Sequence, residues 1–458
     1  MRQSYAAYRD SAVDWVGRIP EHWQIMDLGR IGSFFKGGGG TKADETEEGH
    51  PCVRYGDLYT RHDFHIRESR SRINPDRAAV YTQIQYGDLL LAGSGETLEE
   101  IGKSAANLLR EPAFCGGDVV ICRPEVEIDA TFLGYAADCA ASRHQKSGMG
   151  RGVTVMHIYS SELKKLAIAV PPLEEQAQIG VFLDSETARI DKLITMQESL
   201  IERLDEYRTA LITRVVTKGL PPEAAEAAGL EPAPRLKDSG VEWLGEVPEH
   251  WEVYQLRRTF SIANGGTPAT SDDDNWDGEI VWLTPDDLGR NEGKSIAEGR
   301  RNITPEGIRN SGARLSPPSS VVLSTRAPIG HLAITEMPAA TNQGCRTLVP
   351  TTGAVGGFAY YSLVASRAVL QAAGKGSTFM ELSAADLAQH RLPQPPPNEQ
   401  QAIAEYLGAQ SGRIDTLRSK AELSIERLGE YRSAVISAAV TGKIDVRDEA
   451  LAGVGGGV

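Results

Sequence analysis

The chain has 458 residues, 24% charged and 41% hydrophobic, a balance that excludes a disordered or fibrous protein. No run of about 18 apolar residues occurs, which excludes a membrane-spanning helix. The formal net charge of −14 argues against coating nucleic acid by bulk electrostatics, but leaves room for a local basic groove. The N-terminal stretch lacks the apolar core of a secretory signal, and the five cysteines (Cys52, Cys115, Cys122, Cys139, Cys345) form no CxxC pair. Reduced thiols in a cytoplasmic protein, with no metal site, are therefore expected.

In chain order, residues 10–23 (DSAVDWVGRIPEHW) recur as residues 238–251 (DSGVEWLGEVPEHW), with nine of fourteen positions identical. PPLEEQ at 171–176 recurs as PPPNEQ at 395–400, and IERLDEYR at 201–208 as IERLGEYR at 425–432. Matches at a nearly constant offset mark a tandem duplication. The offset shrinks from 228 to 224, so the second middle is four residues shorter.

Each middle is rich in Gly, Pro and short apolar runs, such as YGDLLLAG, DVVICRPE, EIVWLTPDDL and PSSVVLST, that read as strands bounded by turns. Faint matches persist between IGKSA (101–105) and IGHLA (329–333), and between GMGRGVT (148–154) and AGKGST (373–378). One α+β domain per middle is expected, on a shared frame with altered surface loops.

After each PP the pattern turns helical. Leu183, Ile190, Leu193, Leu204, Tyr207 and Leu211 form a narrow apolar seam, matched in the second copy by Leu407, Ile414, Leu417, Leu428, Tyr431 and Val435. Such a seam is that of a coiled coil, although each helix packing on its own domain is the simpler alternative. Roughly 45 residues at about 1.5 Å each make a helix on the order of 65 Å, a spacer. A Pro/Ala-rich linker follows it. The second helix would run back along the first, giving an antiparallel pair with pseudo-twofold symmetry.

A catalytic constellation is not apparent. GSGETLEEIGKS (93–104) ends like a phosphate-binding loop, but position 97, where Gly is required, is Thr. HExxH, GxSxG and GxGxxG are absent. His22 and His250 each repeat beside a Trp in PEHW, and the partners that a metal ligand or base would need do not recur nearby, so a packing corner is expected there.

The duplicated DSGVEWLGEVPEHW block, variable domain, PPxxEQ block and long helix ending near TKGL resemble the specificity (S) subunit of type I restriction-modification systems, over essentially residues 10–445. The resemblance implies a fold of two α/β target-recognition domains in tandem, separated by two long antiparallel coiled-coil helices. The boundaries become 1–170 for the first domain with its PEHW block, 171–220 for the first helix and 221–240 for the linker. The second domain then spans 241–394, the second helix 395–445 and a tail 446–458. It further implies a non-catalytic subunit that reads a bipartite, asymmetric double-stranded DNA site and docks two methyltransferase (M) subunits. S-adenosylmethionine would sit on those M subunits, and ATP and Mg on the restriction (R) subunits, leaving no cofactor in this chain. A methyltransferase or nuclease fused into one chain is disfavoured because no catalytic module fits outside the two copies. A coiled-coil scaffold with two binding domains for a non-DNA ligand is the other alternative.

Base readout requires side chains that reach groove edges from a rigid frame. In the first domain the candidates are Lys36, Thr41 and Lys42 flanking a Gly run at 37–40, then Arg54 and Arg61, and the cluster Arg143, Lys146 and Arg151. The Gly run would let backbone approach phosphates closely. In the second domain they are Thr267, Arg326, Asn342, Gln343, Lys375, Ser377 and Thr378. Asn and Gln can read adenine, and Arg guanine, through paired hydrogen bonds.

Overall fold

The computed structural model describes residues 3–40, 42–152, 155–351, 353–375 and 380–448. The chain divides into two compact units, Met1–Glu198 with Glu422–Val458, and Ser199–Ala421.

The apolar runs become central strands covered on both faces. In the first unit a five-stranded sheet is ordered Gly32–Lys36, Val119–Pro124, Leu89–Ala92, Ser104–Asn107 and His65–Ile66. Leu89 and Leu91 face one core with Phe132 and Leu133, while Leu90 and Ala92 face another with Val53 and Leu58. Burial of both faces is why the run is continuously apolar and not alternating. The second unit repeats this sheet with Phe260–Asn264, Cys345–Pro350, Val321–Ser324, Leu332–Thr335 and Ser295–Ile296 in the same order. In each unit a smaller sheet is built on one long strand, Glu45–Val53 or Trp276–Leu283, which pairs in parallel with Ala113–Cys115 or Ala339–Thr341. Both middles therefore share the five-stranded sheet and this parallel pairing, while the smaller sheet has four strands in the first and three in the second among the described residues. All five cysteines are buried and free, and burial pushes the thiols of Cys52, Cys115 and Cys122 up to about 12.

The two long helices are Leu173–Lys218 and Pro397–Val440. Within the first unit, Leu183 and Ile190 share a core with Val435, Ile436 and Ala439, and Arg432 pairs with Asp191 at 2.8 Å. Within the second, Ile212 and Val215 share a core with Ile403 and Leu407, Arg208 pairs with Asp415, and Arg418 lies 3.5 Å from Asp205. Pairing 205 with 418 and 208 with 415 is antiparallel. Asp191 and Asp415 are equivalent in the repeat, as are Arg208 and Arg432, so each unit holds the same ion pair with the helices exchanged.

One expectation about the helices needs correction. The seam is not buried throughout: Tyr207, Leu417 and Tyr431 are 56%, 49% and 42% exposed. Their periodicity places them at the margin of the stripe, where Tyr431 instead donates its hydroxyl to Glu186 at 3.1 Å. The stretch expected as a linker is structured. It carries the helix Pro222–Ala227, buries Ala225 beside Trp251, and supplies the strand Leu236–Asp238 that pairs with Glu246–Pro248.

The PEHW corner does have a recurring acid, distant in sequence. His22 meets Glu175 at 2.9 Å and His250 meets Glu399 at 2.8 Å, and both acids come from PPxxEQ. Glu175 also accepts from the Tyr5 hydroxyl at 2.5 Å and the Trp23 indole at 3.1 Å. The adjacent glutamine works on the other side. Gln176 accepts from the Asp129 amide at 2.9 Å, and Gln400 accepts from the Val355 amide at 2.9 Å. Each amide precedes a domain helix, Ala130–Asp138 or Gly356–Ala365.

Lys146, expected along DNA, is fully buried. Its ammonium donates to the carbonyls of Gly102 (2.7 Å) and Ala137 (3.0 Å), the Ser104 hydroxyl (3.1 Å) and the Asp138 carboxylate (2.6 Å). Burial pulls its pKa down and the carboxylate opposes the shift. In the second repeat the equivalent positions are Leu370, Leu332 and Val364, for Lys146, Ser104 and Asp138, all in or against an apolar core. One copy builds this corner from an ion pair and the other from hydrocarbon.

Two outcomes follow. Lys146→Ala should destabilise the first unit by about 3 kcal/mol, because it leaves a buried carboxylate short of its main partner, whereas Lys146→Leu with Asp138→Val should cost much less. Hydrogen exchange of residues 104–107 reads the difference. Glu175→Ala strips two buried donors of their acceptor at about 1–3 kcal/mol each, so exchange over residues 5–23 should accelerate at least tenfold. Glu399→Ala, which removes a partner from the half-exposed His250, should affect residues 236–251 less.

Candidate nucleic-acid interface

In the second domain the described candidates lie on one connected set of loops. The Thr267 hydroxyl meets the Gln343 side chain. Asn342 accepts the Gly344 amide at 3.0 Å, and the Gly344 carbonyl accepts the amides of Thr325 and Arg326 at 2.8 and 3.3 Å. Arg326 pairs with Glu381 at 3.3 Å, and Glu381 exchanges backbone hydrogen bonds with Lys375. Gly265 and Gly266 serve this packing: a Cβ would stand 1.8 Å from the Asn342 carbonyl and 2.4 Å from the Ala313 amide, respectively. Ser377 and Thr378 lie outside the described residues.

The first-domain candidates are dispersed. Lys36 borders a cavity of about 300 Å³ with Phe34, Ser94, Asp118, His157 and Tyr159. The exposed Arg151 exchanges backbone hydrogen bonds with His157, which places it at the same loops. Arg54 precedes the helix Tyr55–Thr60 and pairs with Glu45 at 2.9 Å, while Arg61 follows it and bonds to Ser71 at 3.0 Å. Arg143 pairs with Asp138 at 2.8 Å and covers the Phe64 ring at 5.9 Å. Its near neighbour Lys146 is in the core. Lys42 opens the short turn Lys42–Asp44, and Thr41 lies outside the described residues.

The Gly run at 37–40 makes its close approach to the protein itself. Gly39 (φ +78°) and Gly40 (φ +84°) lie so near Val80 and Tyr81 that a Cβ would stand 1.8 Å from the Val80 carbonyl and 2.0 Å from the Tyr81 hydroxyl. For these two residues, packing within the chain already requires glycine.

Carboxylates hold most of the basic candidates: Lys36 by Asp118 (3.4 Å), Arg61 by Asp57 (3.4 Å) and Lys375 by Asp386 (3.2 Å), besides the pairs above. Arg151 makes no ion pair among the described residues. Sequence reasoning missed Ser94, His157 and Glu381. It also missed Arg346, which donates to the carbonyls of Gln343 and Cys345 at 2.9 Å each and so props the Asn342–Gln343 loop. Extending the match of GMGRGVT with AGKGST six residues onward from Arg151 and Lys375 reaches His157 and Glu381, so that signal was present. The same match extended backward pairs Lys146 with Leu370.

The family described as the type I restriction modification DNA specificity domain matches residues 20–203 and 248–427. Over 183 residues the chain is 36% identical to the type I restriction enzyme MjaIX specificity subunit of Methanocaldococcus jannaschii, covering 39% of this chain and 42% of that one. The putative MjaX specificity subunit of the same organism is 26% identical over 453 residues, covering 94% and 96%. Two solved structures share the fold. One chain, from work on complex assembly and conformational transition of the type I R-M system, aligns with a TM-score of 0.69 at 17% identity over 92% of this chain and 98% of its own length. The HsdS subunit from Thermoanaerobacter tengcongensis aligns at 0.55 and 18% identity, over 93% and 98%. With both repeats matched and the paired PEHW and PPxxEQ corners accounted for, the chain belongs to the family of type I restriction-modification specificity subunits.

Proposed function

We propose that this chain is the non-catalytic subunit that selects the DNA site of a type I restriction-modification complex, reading a bipartite, asymmetric duplex sequence with one half-site per domain. One observation carries the reading: two domains with the same five-stranded sheet order present different side chains at equivalent strand ends and loops. Lys36 is matched by Asn264, Ser94 by Arg326, and His157 by Glu381. A shared frame with different readers fits two different half-sites.

In this reading the long helices dock two methyltransferase subunits, which carry S-adenosylmethionine, and the restriction subunits join through the complex with ATP and Mg. The chain itself holds no cofactor and works in the cytoplasm. Among the described residues, no helix is long and apolar enough to cross a membrane and no cluster of His, Cys, Asp or Glu could hold a metal.

The test is to express the chain with methyltransferase subunits and to map methylated adenines across a genome by single-molecule sequencing. Two dissimilar half-sites separated by a fixed nonspecific spacer are expected. One continuous palindrome would overturn the reading. Purified complex should also bind duplex DNA with a salt slope reflecting few phosphate contacts, because most basic candidates are already paired.

A further inference from the structure

The loop that leaves the central strand of each domain is fastened the same way in both repeats. In the first, Ser94, two residues beyond Leu89–Ala92, pairs with His157, and His157 pairs in turn with Arg151. In the second, Arg326, two residues beyond Val321–Ser324, pairs with Glu381, and Glu381 pairs with Lys375. His157 and Glu381 each stand ten residues before the strand that closes the domain, Ala167–Val170 or Arg391–Gln394. The backbone bracket is conserved between the copies while its side chains are exchanged.

In the second domain further backbone hydrogen bonds hold this bracket. The Arg326 amide is held by the Gly344 carbonyl, the Ala327 amide bonds to Met380 at 3.1 Å, and the Leu382 amide bonds to Thr325 at 2.8 Å. The half-exposed guanidinium meets Glu381 through Nε. Among the described residues no hydrogen bond is made to its terminal nitrogens, so the donors of the fork that matches guanine O6 and N7 are unspent. The ion pair thus tethers the guanidinium near Nε while leaving the fork's donors available. In the first domain the same positions hold Ser94 and His157, whose side chains meet at 3.2 Å and which cannot form that bidentate contact.

We propose that this bracket is the specificity-determining position of each domain, and that in the second domain Arg326, oriented by Glu381, reads a guanine in the major groove. Glu381 is a positioning residue. The inference rests on the function proposed above and adds a residue and a base to it.

The experiment maps methylation by the complex containing wild-type chain, Arg326→Lys, Arg326→Ala or Glu381→Gln. The wild-type second half-site should contain a guanine whose discrimination falls roughly 10- to 100-fold in both Arg326 variants, with the first half-site unchanged. Glu381→Gln should keep the same guanine with weaker discrimination, which preserves a readout if an Arg326 variant is inactive. Carrying Ser94→Arg with His157→Glu into the first domain should alter one position of the first half-site only. An unchanged second half-site in active Arg326 variants would overturn the inference while leaving the proposed function standing. Uniform weakening at all sites with a shallower salt slope would do the same, by assigning Arg326 to phosphate. A wild-type complex with no bipartite pattern would instead overturn the proposed function beneath it.

Discussion

At the head of each long helix two polar side chains must be satisfied in a nearly dry environment, and the solution organises the rest of its unit. Glu175 and Gln176 are buried, as are Glu399 and Gln400. An unpaired carboxylate there would be costly. The acid is therefore met by the PEHW histidine, and in the first unit also by Tyr5 and Trp23. The amide looks the other way and fastens the start of a domain helix. Three segments far apart in sequence, the N-terminal block, the α/β domain and the long helix, are thereby held in one arrangement. Because the same dipeptide does this in both copies, two domains with different loops are seated on their helices alike.

On the function proposed above, the arrangement of charges on that common seat favours selectivity over grip. The acidic total looked unfavourable for a DNA-binding chain. Ion pairs within the chain bear on it: at the candidate positions Lys36, Arg54, Arg61, Arg326 and Lys375, a phosphate would have to compete with a carboxylate already within 3.4 Å. Neutralised cations attract any duplex weakly, which limits sequence-independent binding. A base edge that offers paired acceptors can still engage an arginine whose fork is only partly used.

The duplication, the strand-rich middles and the long helices were legible because they rest on local periodicity and self-similarity. What was hidden depends on contacts across many residues. Lys146 sat in an apparently basic cluster, yet its neighbours in space are Gly102, Ser104 and Asp138; Leu370 at its repeat position already marked the site as core. The Gly run has the composition of a phosphate loop, and only the approach of Val80 and Tyr81 shows what its missing side chains make room for. His22 and His250 lacked partners in sequence because their acids lie about 150 residues away. The Pro/Ala-rich stretch had the composition of a linker, but burying Leu220 and Ala225 beside Trp251 was enough to order part of it.

The segments that make up each unit bear on the order of synthesis. The second unit, Ser199–Ala421, is continuous in sequence, whereas the first closes around Glu422–Val458. Val435, Ile436, Ala439, Val440 and Val446 share its core with Ile19, Trp23 and Phe132. The half translated first must therefore wait for residues 435–446, made after the whole second unit, before its hydrophobic interior is complete. A chain that terminated early, near residue 421, would keep every residue of the later-made unit and leave the earlier-made one open, so quality control acting on exposed apolar surface would sense damage at the C-terminus through the N-terminal domain.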